Sequence, residues 1–281
     1  GIDELCHRPS WEPATAEQLG RVHTPEHIAA MKDFADAGGG RVETDTVMSA
    51  RSYDAARMAS GAACDAVRRV LDGKDRNALC LVRPPGHHAL ADAPMGFCLF
   101  NSVAIAARAA TDECAVERIA IVDFDVHHGN GTQDCFWSDA PVGFLSIHRW
   151  PFYPGTGDAN ETGAGDGLGG IRNLPVEFGT PRSEYLSRFE NELTDFAARV
   201  KPELVLLSAG FDAHRDDPVG SLGLESEDFT TLTRLVADVA DSYCGGRLVS
   251  LLEGGYNCGV LAGCVENHLR ELLARSSSTT D

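Results

Sequence analysis

Residues 121–131 read IVDFDVHHGNG, and this stretch decides the fold. Ile121, Val122, Phe124 and Val126 have the apolar character of a buried strand. Asp123, Asp125, His127 and His128, four polar groups within six residues, do not. A buried charge is costly unless a partner compensates it. The stretch therefore reads as the carboxyl end of a buried strand, with polar side chains aimed at a partner beyond the sheet.

Working outward, apolar runs alternate with helical patterns. Ala78 to Val82, Arg118 to Asp123, Val142 to Ile147, Leu204 to Ser208 and Leu248 to Leu252 read as strands. Ser102 to Thr111, Tyr185 to Val200 and Asp228 to Tyr243 read as helices. Strand, crossover helix, strand predicts an α/β fold with three layers, α/β/α, around a central, mainly parallel sheet. Sites in such sheets lie beyond the carboxyl ends of the strands. RPPGHHA, DVHHGNG, HRWPFYPGTG, AGFDAHRDDP and EGGYN each follow a predicted strand. Five strand ends thus aim unusual chemistry at one edge. The glycine-rich stretch from Pro151 to Gly170 reads as a surface loop, because a domain boundary there would cut the sheet. We expect one domain over residues 1–275 and a disordered tail over 276–281.

Composition narrows the function. The chain has 281 residues, 43% of them hydrophobic, enough for one large core. No apolar run reaches the length of a membrane span, so no membrane partner is expected. The formal charge of −18 disfavours nucleic acid and would attract cationic substrates or basic tails, or serve solubility alone. Nine scattered cysteines without a CxxC pair predict free thiols in a reducing cytoplasm.

Asp125 and His127 are two residues apart, so in extended chain they point the same way. Asp212, from another strand end, would complete an Asp/His/Asp set suited to a catalytic zinc ion. His87 and His88 follow the rigid Pro84-Pro85-Gly86 turn. One of such a pair would take a proton from a metal-activated water and return it to a leaving amine. Each imidazole needs an orienting partner, and Asp123 and Asn130 are candidates. Tyr256, after Gly254-Gly255, would stabilise an oxyanion.

RPPGHHA, GFCLFN, IVDFDVHHGNGTQ, HRWPFYPGTGD, SAGFDAHRDDP and EGGYN, in this order over about residues 22 to 257, resemble the zinc-dependent histone deacetylase superfamily. The form of the motifs is similar to the class II branch and to bacterial histone-deacetylase-like amidohydrolases, which are related to acetylpolyamine amidohydrolases. The resemblance implies an arginase/deacetylase-like fold and one zinc ion per chain on Asp125, His127 and Asp212. It implies His88 as general base and acid, His87 as its electrostatic partner oriented by Asp123, Asn130 against His88, and Tyr256 on the acyl carbonyl. It places Gly96, Phe97, Tyr153, Val219 and Gly255 along a substrate tunnel, with Tyr153 where phenylalanine is usual. It also implies a structural potassium ion near Asp123, Ser146 and Ile147 and the backbone of Asp125 and His127.

The implied activity is hydrolysis of the acyl group from acyl-lysine or a similar acylated primary amine. The other readings are an acetylpolyamine amidohydrolase and a catalytically silent acyl-lysine binder. An arginase-like hydrolase would need two manganese ions and more aspartates than these strand ends supply. Members usually carry a further strand and loop ahead of the segment containing Trp11, and we expect these to be absent. A homo-oligomer is compatible with the sequence but not legible in it.

Overall fold

Eight strands and eight α-helices lie along residues 1–276, the part of the chain described by a computed structural model. In chain order they are α1 (Ala16–Gly20), α2 (Pro25–Asp36), β1 (Gly39–Arg41), β2 (Val47–Ser49), α3 (Ser52–Leu71), β3 (Asn77–Cys80), α4 (Ser102–Cys114), β4 (Ile119–Asp123), α5 (Asn130–Cys135), β5 (Val142–Arg149), β6 (Ile171–Val176), α6 (Arg182–Val200), β7 (Leu204–Ala209), α7 (Ser226–Cys244), β8 (Leu248–Leu252) and α8 (Cys258–Ser276). The expected tail begins at Ser276, where α8 ends; residues 277–281 lie outside the described residues.

Six strands form one parallel sheet in the order β3-β8-β7-β4-β5-β6, and β1 and β2 form a separate antiparallel hairpin. Alternation along each strand builds the layers. Ala120, Val122, Leu145, Ile147, Val205 and Leu207 pack with Phe189 and Phe196 of α6 and Leu232 and Val236 of α7. Ile119, Ile121, Phe144, Leu204, Leu206 and Val249 face the other way, into Ala63 and Val67 of α3 and Val103 and Ala107 of α4. The three-layer α/β/α arrangement is therefore the one the patterning predicts. A third cluster joins α1, α2 and the hairpin to the outer side of α3 and α4 through Leu19, Met31, Met48, Cys64 and Ile105.

Local chemistry fixes the helix starts. Thr24 accepts from His27 N ahead of Pro25, and Asn101 Oδ1 accepts from Ala104 N at the start of α4. The observed elements run a little longer than predicted at α4, α6, α7 and β5. The first predicted strand ends sooner, at Cys80, because pairing with β8 stops there and Leu81 turns to solvent. The edge strand β6 is missed by an apolar-run reading because Arg172, Asn173 and Pro175 interrupt it; Pro175 is tolerated at a sheet edge.

The strand order reverses at β4. From β4 the chain proceeds to β5 and β6 on one side, then returns as β7 and β8 on the other. A crevice at such a reversal is where parallel sheets hold their ligands.

Candidate active site

Asp125 and His127 follow β4 and Asp212 follows β7, on the two sides of that crevice. All three are buried, and one ligand atom from each lies within 4.8 Å of the others. His127 Nδ1 is 3.0 Å from Asp125 Oδ1 and 3.1 Å from Asp212 Oδ2. One ring proton cannot serve both oxygens, and Asp212 Oδ2 has no hydrogen-bond partner of acceptable geometry. The 3.1 Å approach is thus proximity rather than a directed bond.

The remaining carboxylate lone pairs are satisfied by backbone. Asp125 Oδ1 accepts from His127 N at 2.9 Å, Asp125 Oδ2 from Gly254 N at 2.7 Å, and Asp212 Oδ1 from Val126 N at 2.9 Å. A Cβ at Gly210 would lie 2.0 Å from Asp125 Oδ2, and one at Gly254 2.2 Å from Asp212 Oδ2. The glycines leave only enough room for the carboxylates. Burial, reinforced by the charge of Asp125, pushes Asp212 up to about 6. An orphaned buried oxygen, two crowded carboxylates and one imidazole fit a divalent cation with coordination positions to spare.

The turn after β3 brings His87 and His88 to the same crevice, ring centroids 4.0 Å apart. His87 Nδ1 lies 2.9 Å from Asp123 Oδ2. Burial disfavours the charged form of His87, but Asp123, Asp125 and Glu253 outweigh it and raise its pKa. A cation on Asp125 would oppose that pull. His88 Nδ1 lies 2.7 Å from Asn130 Oδ1, while Asn130 Nδ2 faces His88 O and Met95 Sδ, each at 3.4 Å. The amide oxygen therefore faces the ring, His88 carries its proton on Nδ1, and Nε2 keeps a lone pair. Burial, then the neighbouring His87 and His127, hold His88 well below the ordinary histidine range.

Aromatic rings wall the approach. Phe97, at φ 67°, meets Tyr256 edge-to-face at 5.8 Å. Tyr153 meets His88 at 5.3 Å and His127 at 6.0 Å, both edge-to-face. Gly96 lies against the His88 ring, where a Cβ would come within 2.3 Å of Cδ2. Gly255, at φ 137°, makes the turn into Tyr256. Burial, then Asp125 and Asp212, push the Tyr256 phenol far above its usual range, so it stays protonated. Val219 is 45% exposed, on the 217–221 loop. Ser146 lies beside Asp123 in register; its Oγ is 3.0 Å from His148 Nδ1, and the Ile147 side chain is in the core.

Several residues near the site carry no spacing signal in the sequence. Phe152 stacks on His127 with centroids 5.3 Å apart, and Arg149 covers Phe152 at 4.1 Å. Asp217 accepts from Tyr256 N, Val219 N and Gly220 N at 2.8, 2.9 and 3.0 Å. Thr46 Oγ1 accepts from Phe97 N at 3.0 Å. Glu253 is buried directly behind the tandem histidines. Its place at the head of EGGYN, after a strand, is the one clue the sequence holds.

Comparison with known proteins identifies the family. A family profile described as the histone deacetylase domain matches residues 2–272. A histone deacetylase-like amidohydrolase of Pseudomonas aeruginosa is 38% identical over 282 residues, covering 100% of this chain and 74% of the relative. Histone deacetylase 14, chloroplastic, of Arabidopsis thaliana is 38% identical over 290 residues, covering 99% of this chain and 68% of the relative. Polyamine deacetylase HDAC10 of Homo sapiens is 39% identical, covering 97% of this chain and 42% of the relative. The crystal structure of the HDA15 HD domain superposes with a TM-score of 0.91 at 35% identity, covering 98% of this chain and 77% of that one. The chain belongs to the histone deacetylase family, and it is a hydrolytic deacetylase.

Proposed function

We propose that this deacetylase is a zinc-dependent amidohydrolase acting on acyl-lysine or a similar acylated primary amine. The observation that carries the reading is the buried Asp125, His127 and Asp212 cluster with its orphaned Asp212 Oδ2, set beside a histidine with a free Nε2. Zinc held there would supply Lewis-acid polarisation of the acyl carbonyl and acidify a water. A structural potassium ion beside Asp123, near Ser146 and Ile147 and the backbone of Asp125 and His127, belongs to the same proposal.

His88 Nε2 takes the proton of the attacking water and returns it to the nitrogen of the leaving amine. Asn130 holds the ring in the tautomer that leaves Nε2 free. His87, tied to Asp123, supplies a second polar ring beside the reacting atoms. The protonated Tyr256 hydroxyl donates to the oxygen that becomes negative as water adds. Gly96, Phe97, Tyr153, Val219 and Gly255 line the approach and exclude water from the acyl chain. We read residues 1–275 as one catalytic unit, an extent supported by the family match over 2–272.

For the substrate, the apolar Val219 offers no carboxylate for a remote ammonium, which favours acyl-lysine over an acetylpolyamine. Nine cysteines without a disulfide support a reducing compartment such as the cytoplasm. Among the described residues no helix is long and apolar enough to cross a membrane. The test offers acetyl-lysine peptide and acetylated spermidine side by side and measures acetate. Release from the peptide, lost in His88→Ala, is expected. Faster release from the polyamine would reassign the substrate, and none from either would point to a different acyl group.

A further inference from the structure

Glu253 is a buried acid for which the chemistry above has no use. It closes β8 at the head of the EGGYN motif, and its side chain turns back under the turn that carries the tandem histidines. Glu253 Oε2 accepts from Gly86 N at 2.7 Å and from His87 N at 3.2 Å. Glu253 Oε1 accepts from Ser208 Oγ of β7 at 3.2 Å. Its backbone is tied as well: Glu253 N donates to Ala209 O at 3.0 Å, and Arg83 Nη1 donates to Glu253 O at 2.5 Å. One residue therefore joins the ends of β7 and β8 to the 83–88 turn. The next residue, Gly254, donates from its backbone to Asp125 Oδ2.

The alternatives for the 83–88 turn are few. Gly86 packs so closely on α4 that a Cβ would lie 2.7 Å from Ser102 N, so the turn is wedged from one side. On the other side its two backbone N–H groups need acceptors, because buried donors are rarely left unpaired. Glu253 Oε2 is the acceptor the structure provides for both.

We propose that Glu253 is a positioning residue that sets the distance between the His87–His88 pair and the Asp125, His127 and Asp212 cluster. It acts through the backbone of residues 86 and 87 and touches no reacting atom. What it supplies is reach and two acceptor oxygens. Glutamine has the same reach: its amide oxygen would accept from Gly86 and His87, and its NH2 would donate to Ser208 Oγ. Aspartate keeps the charge but is shorter by one carbon, roughly 1.5 Å.

The proposal rests on His88 being the base, so the experiment has one readout in turnover and one apart from it. Glu253→Gln and Glu253→Asp are compared with the zinc-loaded wild type for acetate release from acetyl-lysine peptide. The same proteins are examined by proton NMR for the downfield resonance of the His87 Nδ1–Asp123 hydrogen bond, assigned by its loss in His87→Ala. Glu253→Gln removes a negative charge from beside His87 but is expected to keep kcat close to wild type and to retain the resonance. Glu253→Asp is expected to lose on the order of tenfold to a hundredfold in kcat, with KM little changed, and to shift or lose the resonance. Glu253→Asp with wild-type kcat and an unmoved resonance would overturn the proposal, as would Glu253→Gln falling as far as Glu253→Asp. A Glu253→Asp chain that does not fold would make Glu253 a residue of the core and overturn it equally. Were the wild type itself silent toward this peptide, the acyl-lysine reading would fail, and the resonance would still decide the role of Glu253.

Discussion

His88 Nδ1 and Asn130 Oδ1 are 2.7 Å apart, with the Asn130 amide nitrogen turned toward His88 O and Met95 Sδ. A neutral acceptor fixes the ring's tautomer and favours its charged form less than a carboxylate would. Asn130→Asp should keep the bond but favour the imidazolium. The base works only when neutral, so raising its pKa should move the acidic limb of the kcat/KM–pH profile upward, by about one unit for each 1.4 kcal/mol gained. An unmoved limb would separate His88 from the titrating base.

Tyr256→Phe removes the hydroxyl but keeps the ring that meets Phe97. Turnover should fall on the order of a hundredfold to a thousandfold, as for loss of an oxyanion donor. The melting temperature should stay near wild type. Undiminished acetate release would remove Tyr256 from the chemistry.

Gly210 has no room for a side chain beside Asp125 Oδ2. Gly210→Ala should therefore displace that carboxylate and weaken zinc binding by roughly tenfold or more. A competition titration with a chelating dye reads this directly, and unchanged affinity would count against Asp125 as a ligand.

Acid should destabilise the fold through histidines buried in neutral form. His268 is held by Thr233 Oγ1 at 2.7 Å and Ser250 Oγ at 2.9 Å, and burial lowers it to about 3. His23 is lowered to about 4 by burial and by nearby His27. An unfolded histidine takes its proton near pH 6.5, so between that pH and these lower values the unfolded chain binds more protons. Their stabilisation is complete above about pH 6.5 and is lost as pH falls toward 4 and then 3, by about 1.4 kcal/mol per unit for each ring. Urea unfolding at pH 7, 6 and 5 measures the slope. His268→Leu should make it shallower while lowering stability at pH 7 by about 1–3 kcal/mol through the orphaned hydroxyls.

Much of this was legible because it is periodic or local. Continuous apolar runs in Ile119–Asp123 and Leu204–Ala209 reveal strands buried on both faces, and the polar residues just beyond reveal the crevice edge. The 125/127 spacing exposes a ligand pair because two residues suffice to repeat a direction. β4 itself stops at Asp123, so the pair converges from the turn beyond the strand, not from within it. Glu253, Asp217 and Thr46 were hidden for the opposite reason. Each accepts from the backbone of a segment distant in sequence, and a backbone donor has no residue type to mark it. β6 was hidden because an edge strand need not be apolar throughout.

In the proposed function, Asp125, His127 and Asp212 hold one catalytic cation. The most direct test strips the protein of metal, adds zinc in steps, and follows acetate release from acetyl-lysine peptide alongside bound zinc per chain. No activity is expected without metal, saturation is expected at one equivalent, and Asp212→Asn should lose both binding and activity. Full activity in the stripped protein, or saturation only at two equivalents, would contradict the proposed function.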